Sequence, residues 1–167
     1  MGSALAQLHS TLFNEAITAA LSTADAVTED KRYRQLKEGK SHPLWLLGHI
    51  ANTNNLLVNM WCLEGTPMFP KDFIPKFSPD FADGIDPTPD PGFYPSWDET
   101  VALFKAIGES CVEGIAKLTD DELNGPLRGG APDAMKERFG NVDQTIRGMA
   151  LHCEYHRGQI AIINAQD

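Results

Sequence analysis

The sequence predicts an all-α fold, a four-helix bundle with a long proline-rich crossing between its second and third helices. Three observations carry this. Apolar residues recur at three- and four-residue spacing in four stretches of about 20 residues. Three of these stretches open on good N-cap residues, Ser41, Ser96 and Asn141. Eight of the 11 prolines, Pro67, Pro70, Pro75, Pro79, Pro87, Pro89, Pro91 and Pro95, fall in one interval. Such helices suit a bundle, and a long crossing permits neighbours other than simple up-down-up-down. With 167 residues and no repeat, low-complexity run or linker, residues 1–167 are expected to form a single domain.

The first helix is expected from about Ala4 to Thr23, with Leu5, Leu8, Leu12, Ala16 and Ala19 on one stripe and Phe13, Ile17 and Leu21 beside it. The second begins after Ser41, with Pro43 tolerated in its first turn. It carries Leu46, His49, Thr53, Leu56 and Met60 and ends near Glu64 and Gly65. The prolines of residues 65–95 exclude both a continuing helix and a central strand. Met68, Phe69, Phe73, Ile74, Phe77, Phe81, Phe93 and Tyr94 are more apolar surface than a solvated linker needs, so the segment is expected to cover the bundle. In the third helix Ser96 and Glu99 have capping-box spacing, and the stripe is Trp97, Val101, Phe104, Ile107, Cys111, Ile115 and Leu118. A short helix opens at Thr119-Asp120-Asp121-Glu122, before Gly129, Gly130 and Pro132 break regularity. The fourth long helix starts at Asn141, with Gln144 at the matching capping position.

Composition removes several function classes. Lys plus Arg is 14 against 23 Asp plus Glu, a net charge of -9. The basic residues Lys31, Arg32, Arg34 and Lys37 are interleaved with Glu29, Asp30 and Glu38, so nucleic acid is not an expected partner. No stretch approaches the roughly 18–20 apolar residues that span a bilayer, and the N-terminus has no signal-peptide pattern. Cys62, Cys111 and Cys153 are odd in number and form no CxxC pair, which favours a reducing, cytoplasmic compartment.

The chemistry rests with histidines. His152 and His156 are spaced i, i+4, only ~40° apart around a helix, so both imidazoles project from one face with Thr145, Gly148, Met149, Gln159 and Ile163. Two such rings can converge on one divalent ion. His49 stands on an apolar stripe of the second helix, where a buried imidazole needs a partner. Read alone it is either a hydrogen-bonded core histidine or the third ligand. His42 is expected at the surface or rim, and His9 is expected to be structural or exposed. The residue after His152 is Cys153, so the glutamate of a zinc-protease HExxH motif is missing. Cys153 itself is rotated ~100° from His152 and is a weaker ligand candidate.

Leu46-Leu47-Gly48-His49-Ile50-Ala51 resembles the second-helix segment of the DinB-like (DinB/YfiT) superfamily of metalloenzymes. The run from His152 through Tyr155, His156, Arg157, Gly158 and Gln159 to Ile160 resembles that family's last-helix signature, HxxYHRGQI. The resemblance implies a four-helix bundle whose divalent metal ion, nickel or zinc, is held by His49, His152 and His156. It implies homodimers in many members, and transfer of a low-molecular-weight thiol to a small-molecule substrate in some. A metal-dependent hydrolase and a non-catalytic binding module are the alternatives. The proline-aromatic crossing is a departure from the family pattern.

Overall fold

The computed structural model describes residues 2–78 and 84–166. Among these residues six α-helices form: α1 (Ala4–Asp25), α2 (Pro43–Thr53), α3 (Trp97–Ile115), α4 (Asp120–Asn124), α5 (Asp133–Phe139) and α6 (Val142–Asn164). Helix α2 continues without a break into a π-helical segment, Asn54–Cys62. The four long elements are the bundle. Among the described residues there is no β-strand, and no helix is long and apolar enough to cross a membrane.

The caps follow the side-chain chemistry. Asn141 and Gln144 form a reciprocal box at the start of α6, and Thr119 and Glu122 do the same for α4. At α3 the Ser96 hydroxyl accepts from the Glu99 N–H at 3.2 Å. Helix α2 departs from expectation. Its N-cap is His42, not Ser41: Nδ1 accepts from the Trp45 N–H at 3.2 Å. Its far end lies at Cys62, where the loop after α4 supplies donors. Arg128 N–H and Nη2 reach the carbonyls of Trp61 and Cys62 at 2.7 and 2.6 Å, satisfying groups a helix end leaves open. Helix α5 lies where residues 119–140 were expected to hold only one short helix.

Helix α1 buries Ala16, Phe13 and Ile17 as expected but turns the leucines of the expected stripe outward. Ala6, Phe13, Ala16, Ile17, Ala20 and Ala24 are buried, while Leu5, Leu8 and Leu12 are exposed. The leucines sit one position off the seam that carries Ala6, Phe13, Ala16, Ile17, Ala20 and Ala24. The seam is tight at Gly108, where a Cβ would press on Ile17.

Pairings set the topology. Ser10 and Gln7 donate to the carbonyls of Val112 and Ala116, so α1 and α3 run antiparallel. His9 meets Asp143 and Ala26 meets Asn164, so α1 and α6 run parallel. Asn54 and Leu63 meet Cys111 and Gly114, so α2 and its extension run parallel to α3. The order is therefore up-down-down-up, with α1 across the bundle from α2. A parallel pair needs a connection that travels back along the bundle, and residues 65–95 are that connection. Phe69, Phe77 and Tyr94 are buried in the core, with Met68, Phe73 and Phe93 packed against it. Its Pro79 and Phe81 lie outside the described residues. All three cysteines are buried free thiols.

Candidate metal centre

Helix α6 presents His152 and His156 one turn apart, and α2 brings His49 across the seam. His152 Nε2 lies 3.2 Å from His49 Nε2 and 2.9 Å from His156 Nε2. Among the described residues these three are the group of metal-ligating side chains that can hold an ion, and no Asp, Glu or Cys joins them. Tetrahedral ligands at 2.0–2.1 Å from zinc stand roughly 3.3 Å apart, close to the separations found.

The outer nitrogens explain the aim of the inner ones. His49 Nδ1 lies 2.8 Å from the Phe77 carbonyl oxygen, which can only accept. His156 Nδ1 lies 2.6 Å from Gln159 Oε1, and the Gln159 amide nitrogen turns toward the Tyr155 hydroxyl at 3.4 Å. Both rings therefore carry their proton on Nδ1 and direct an Nε2 lone pair at the same point. Donating the second nitrogen to a carbonyl or amide oxygen is how metal-bound histidines are oriented. Trp45 stacks on His49, with ring centroids 4.8 Å apart and planes within 9°.

Among the described residues His152 has no such partner: its buried Nδ1 makes no hydrogen bond to them. If its proton is on Nδ1, three lone pairs face one another. If it is on Nε2, the buried Nδ1 acceptor is left open. An unsatisfied buried polar group costs free energy in either tautomer. A divalent cation at the convergence point removes the lone-pair repulsion, so the donor set fits one. A proton is a poor substitute. Burial, then the neighbouring His156 and His49 rings, pushes His152 down to about 3. Burial outweighs the Gln159 hydrogen bond and holds His156 at about 4. The His152 and His156 rings are neutral at physiological pH, the form in which imidazole can bind a metal.

The other candidates go elsewhere. His42 is fully buried, not at a rim: Nε2 donates to the Thr88 carbonyl at 2.9 Å, and the ring packs edge-on against Tyr94. It fastens the crossing to the start of α2. His9 is buried and paired with Asp143 at 2.6 Å between α1 and α6. Cys153 points away toward the Ala16 carbonyl, and burial pushes its thiol up to about 12. Arg157 pairs with Glu154 on its own helix at 2.7 Å. Sequence reasoning did not find the role of Phe77. A main-chain carbonyl 28 residues beyond His49 leaves no mark in residue type. Its seat is nevertheless marked by Gly48, because the Phe77 ring occupies the space a Cβ there would need.

The chain matches no curated protein. The pattern of the DinB superfamily matches residues 12–160, a span that includes both histidine-bearing helices and the crossing between them. With the family's helical architecture and this three-histidine cluster in place, the chain belongs to the DinB superfamily.

Proposed function

We propose that this protein is a metal-dependent transferase that binds one divalent ion, zinc or nickel, through His49, His152 and His156, and acts with a low-molecular-weight thiol. The observation that carries the metal part is the convergence of three Nε2 atoms, two of them held in the ligating tautomer from outside. Three protein ligands leave a coordination position open, as in catalytic rather than structural sites. When bound, the ion supplies Lewis acidity that lowers the pKa of a thiol beside it. The chain's own groups do the rest. Phe77 and Gln159 fix ring orientation, and Trp45 stacks on the His49 ring. The thiol part is supported by membership of the superfamily.

Elemental analysis of untagged protein tests the metal: about one ion per chain is expected in the wild type and loss of tight binding in His152→Ala. Calorimetric titration of metal-loaded protein with small thiols tests the chemistry. Absence of thiol binding would leave a metal protein without this activity.

A homodimer is the second part of the proposal. Leu8, Leu12 and Leu151 are exposed beside an apolar groove of about 470 Å³ between α1 and α6. Arg147 and Glu154 flank Leu151 along that groove. A two-fold axis near Leu151 would bring opposite charges together across the interface, as a self-complementary surface requires.

A further inference from the structure

A smaller cleft of about 350 Å³ opens on the α2–α6 seam, lined by Leu36, Lys40, Ser41, Leu46, Gln159 and the pair Ile162 and Ile163. Its place in the fold gives it meaning. Leu46 is one helical turn before His49, and Gln159 is one turn beyond His156, so the cleft adjoins both helices that carry the histidines. One turn is ~5.4 Å. The 470 Å³ groove lies on the opposite side of α6 and shares no residue with the three-histidine group.

The lining is amphipathic in an ordered way. Leu36, Leu46, Ile162 and Ile163 form an apolar wall. Lys40 is the charged member among the described lining residues, and Ser41 follows it in the chain and lines the same cleft. No carboxylate lies within ion-pair distance of Lys40 among the described residues. Lys40 is exposed, and the other described lining residues carry no charge.

The wall that carries Lys40 is held in place. The Lys40 N–H bonds the Lys37 carbonyl at 3.0 Å, a turn that uses Gly39 in the left-handed region at φ 72°. Upstream, Lys31 Nζ and Arg34 Nη1 bond the carbonyls of Asn164 and Gln166 at 2.7 and 2.9 Å. Those bonds also occupy carbonyls at the end of α6 that would otherwise repel an anion.

We propose that this cleft binds the carboxylate-bearing aliphatic portion of the substrate thiol, with Lys40 and Ser41 receiving the carboxylate and the leucine–isoleucine wall covering the methylene chain. The thiol end then points along the seam toward the histidines. The volume sits at the lower end of small-molecule sites, ~300–1,000 Å³, which suits a short chain. The direction of the thiol rests on the metal proposal; the anion site does not.

The test separates the two. Hexanoate and 1-hexanol are titrated into metal-free protein and followed by amide chemical shifts. Hexanoate is expected to shift Leu36, Ser41 and Ile162, and hexanol far less. In parallel, 6-mercaptohexanoate and 6-mercapto-1-hexanol are titrated calorimetrically into zinc-loaded protein. The carboxylate is expected to bind about 10-fold more tightly, the scale of one charge-assisted hydrogen bond. Lys40→Glu should abolish that preference while its zinc affinity stays at the wild-type value. Lys40 is exposed, so the variant folds without burying a charge. Charge-blind binding, shifts confined to other regions, or an undiminished preference in Lys40→Glu would overturn the proposal. If the protein binds no zinc, the metal proposal fails, and the hexanoate arm alone decides the cleft.

Discussion

The ring of Phe77 fills the space into which any side chain at position 48 would project. Phe77 is fully buried, with Phe69 and Tyr94 at centroid distances of 5.8 and 5.4 Å, so it has nowhere to retreat. Its carbonyl is also the acceptor for His49 Nδ1. Gly48 therefore couples the packing of the crossing to the aim of a candidate ligand. Gly48→Ala is expected to destabilise the fold by about 1–3 kcal/mol through overpacking. Loss of the supporting hydrogen bond is expected to weaken metal binding by about 10–100-fold. Urea unfolding and chelator competition measure the two effects, and wild-type values in both would break the link between Phe77 and His49.

His156→Ala should lose tight metal binding yet keep the bundle. Met149, Ile160 and Ile163 still anchor α6, and alanine is the best helix former. In the metal-free protein the change also separates two nitrogens that face each other at 2.9 Å. Far-ultraviolet circular dichroism should match wild type, with a melting temperature no lower. Undiminished metal affinity would show that the ligand set is a different one.

Acid should destabilise the metal-free protein before its carboxylates protonate. Burial lowers His42 to about 4, against its hydrogen bonds to Thr88 and Arg32. His152 and His156 are lowered in the same direction. Below about pH 6.5 the unfolded chain takes up protons that the folded chain refuses, so stability is full above that pH and falls as pH drops toward 4. The limiting slope is about 1.4 kcal/mol per pH unit for each such group. His42→Asn keeps an N-cap acceptor but removes one titration, so its urea midpoint should fall less steeply between pH 6.5 and 4. Identical slopes would mean that His42 does not contribute.

Leu151 is 72% exposed on a helix whose other large apolar residues mostly face inward. Placing Arg at this position should disfavour self-association while leaving monomer stability within ~0.5 kcal/mol, as expected for a surface site. Sedimentation equilibrium should show a wild-type dimer and a Leu151→Arg monomer. A wild-type monomer at all concentrations would remove the dimer proposal.

Some of this was readable before any coordinates. The start of α6, the i, i+4 histidines and the short capped α4 are local: each depends on residues within one or two turns, whose geometry follows from helix periodicity and capping. The apolar excess of the crossing also foretold burial, because so many aromatics gain from leaving water. Helix α1 was legible as a helix but only partly in its orientation. Leucines, alanines, Phe13 and Ile17 share its surface, and which of them face inward is fixed by packing against α3 and α6, which no property of α1 alone contains.

The same division runs through the candidate site. Sequence by itself determined that His49, His152 and His156 lie on two helices with polar rings among apolar neighbours. It could not tell a buried His42 from an exposed one, because that depends on where Thr88 and Tyr94 of the crossing come to rest. Nor could it assign a tautomer, which is set by the Phe77 carbonyl and the Gln159 amide. Tertiary structure decided these matters because hydrogen-bond direction and desolvation are properties of the atoms that surround a ring. For His49 those atoms arrive from a segment that must run the length of the bundle to join two parallel helices.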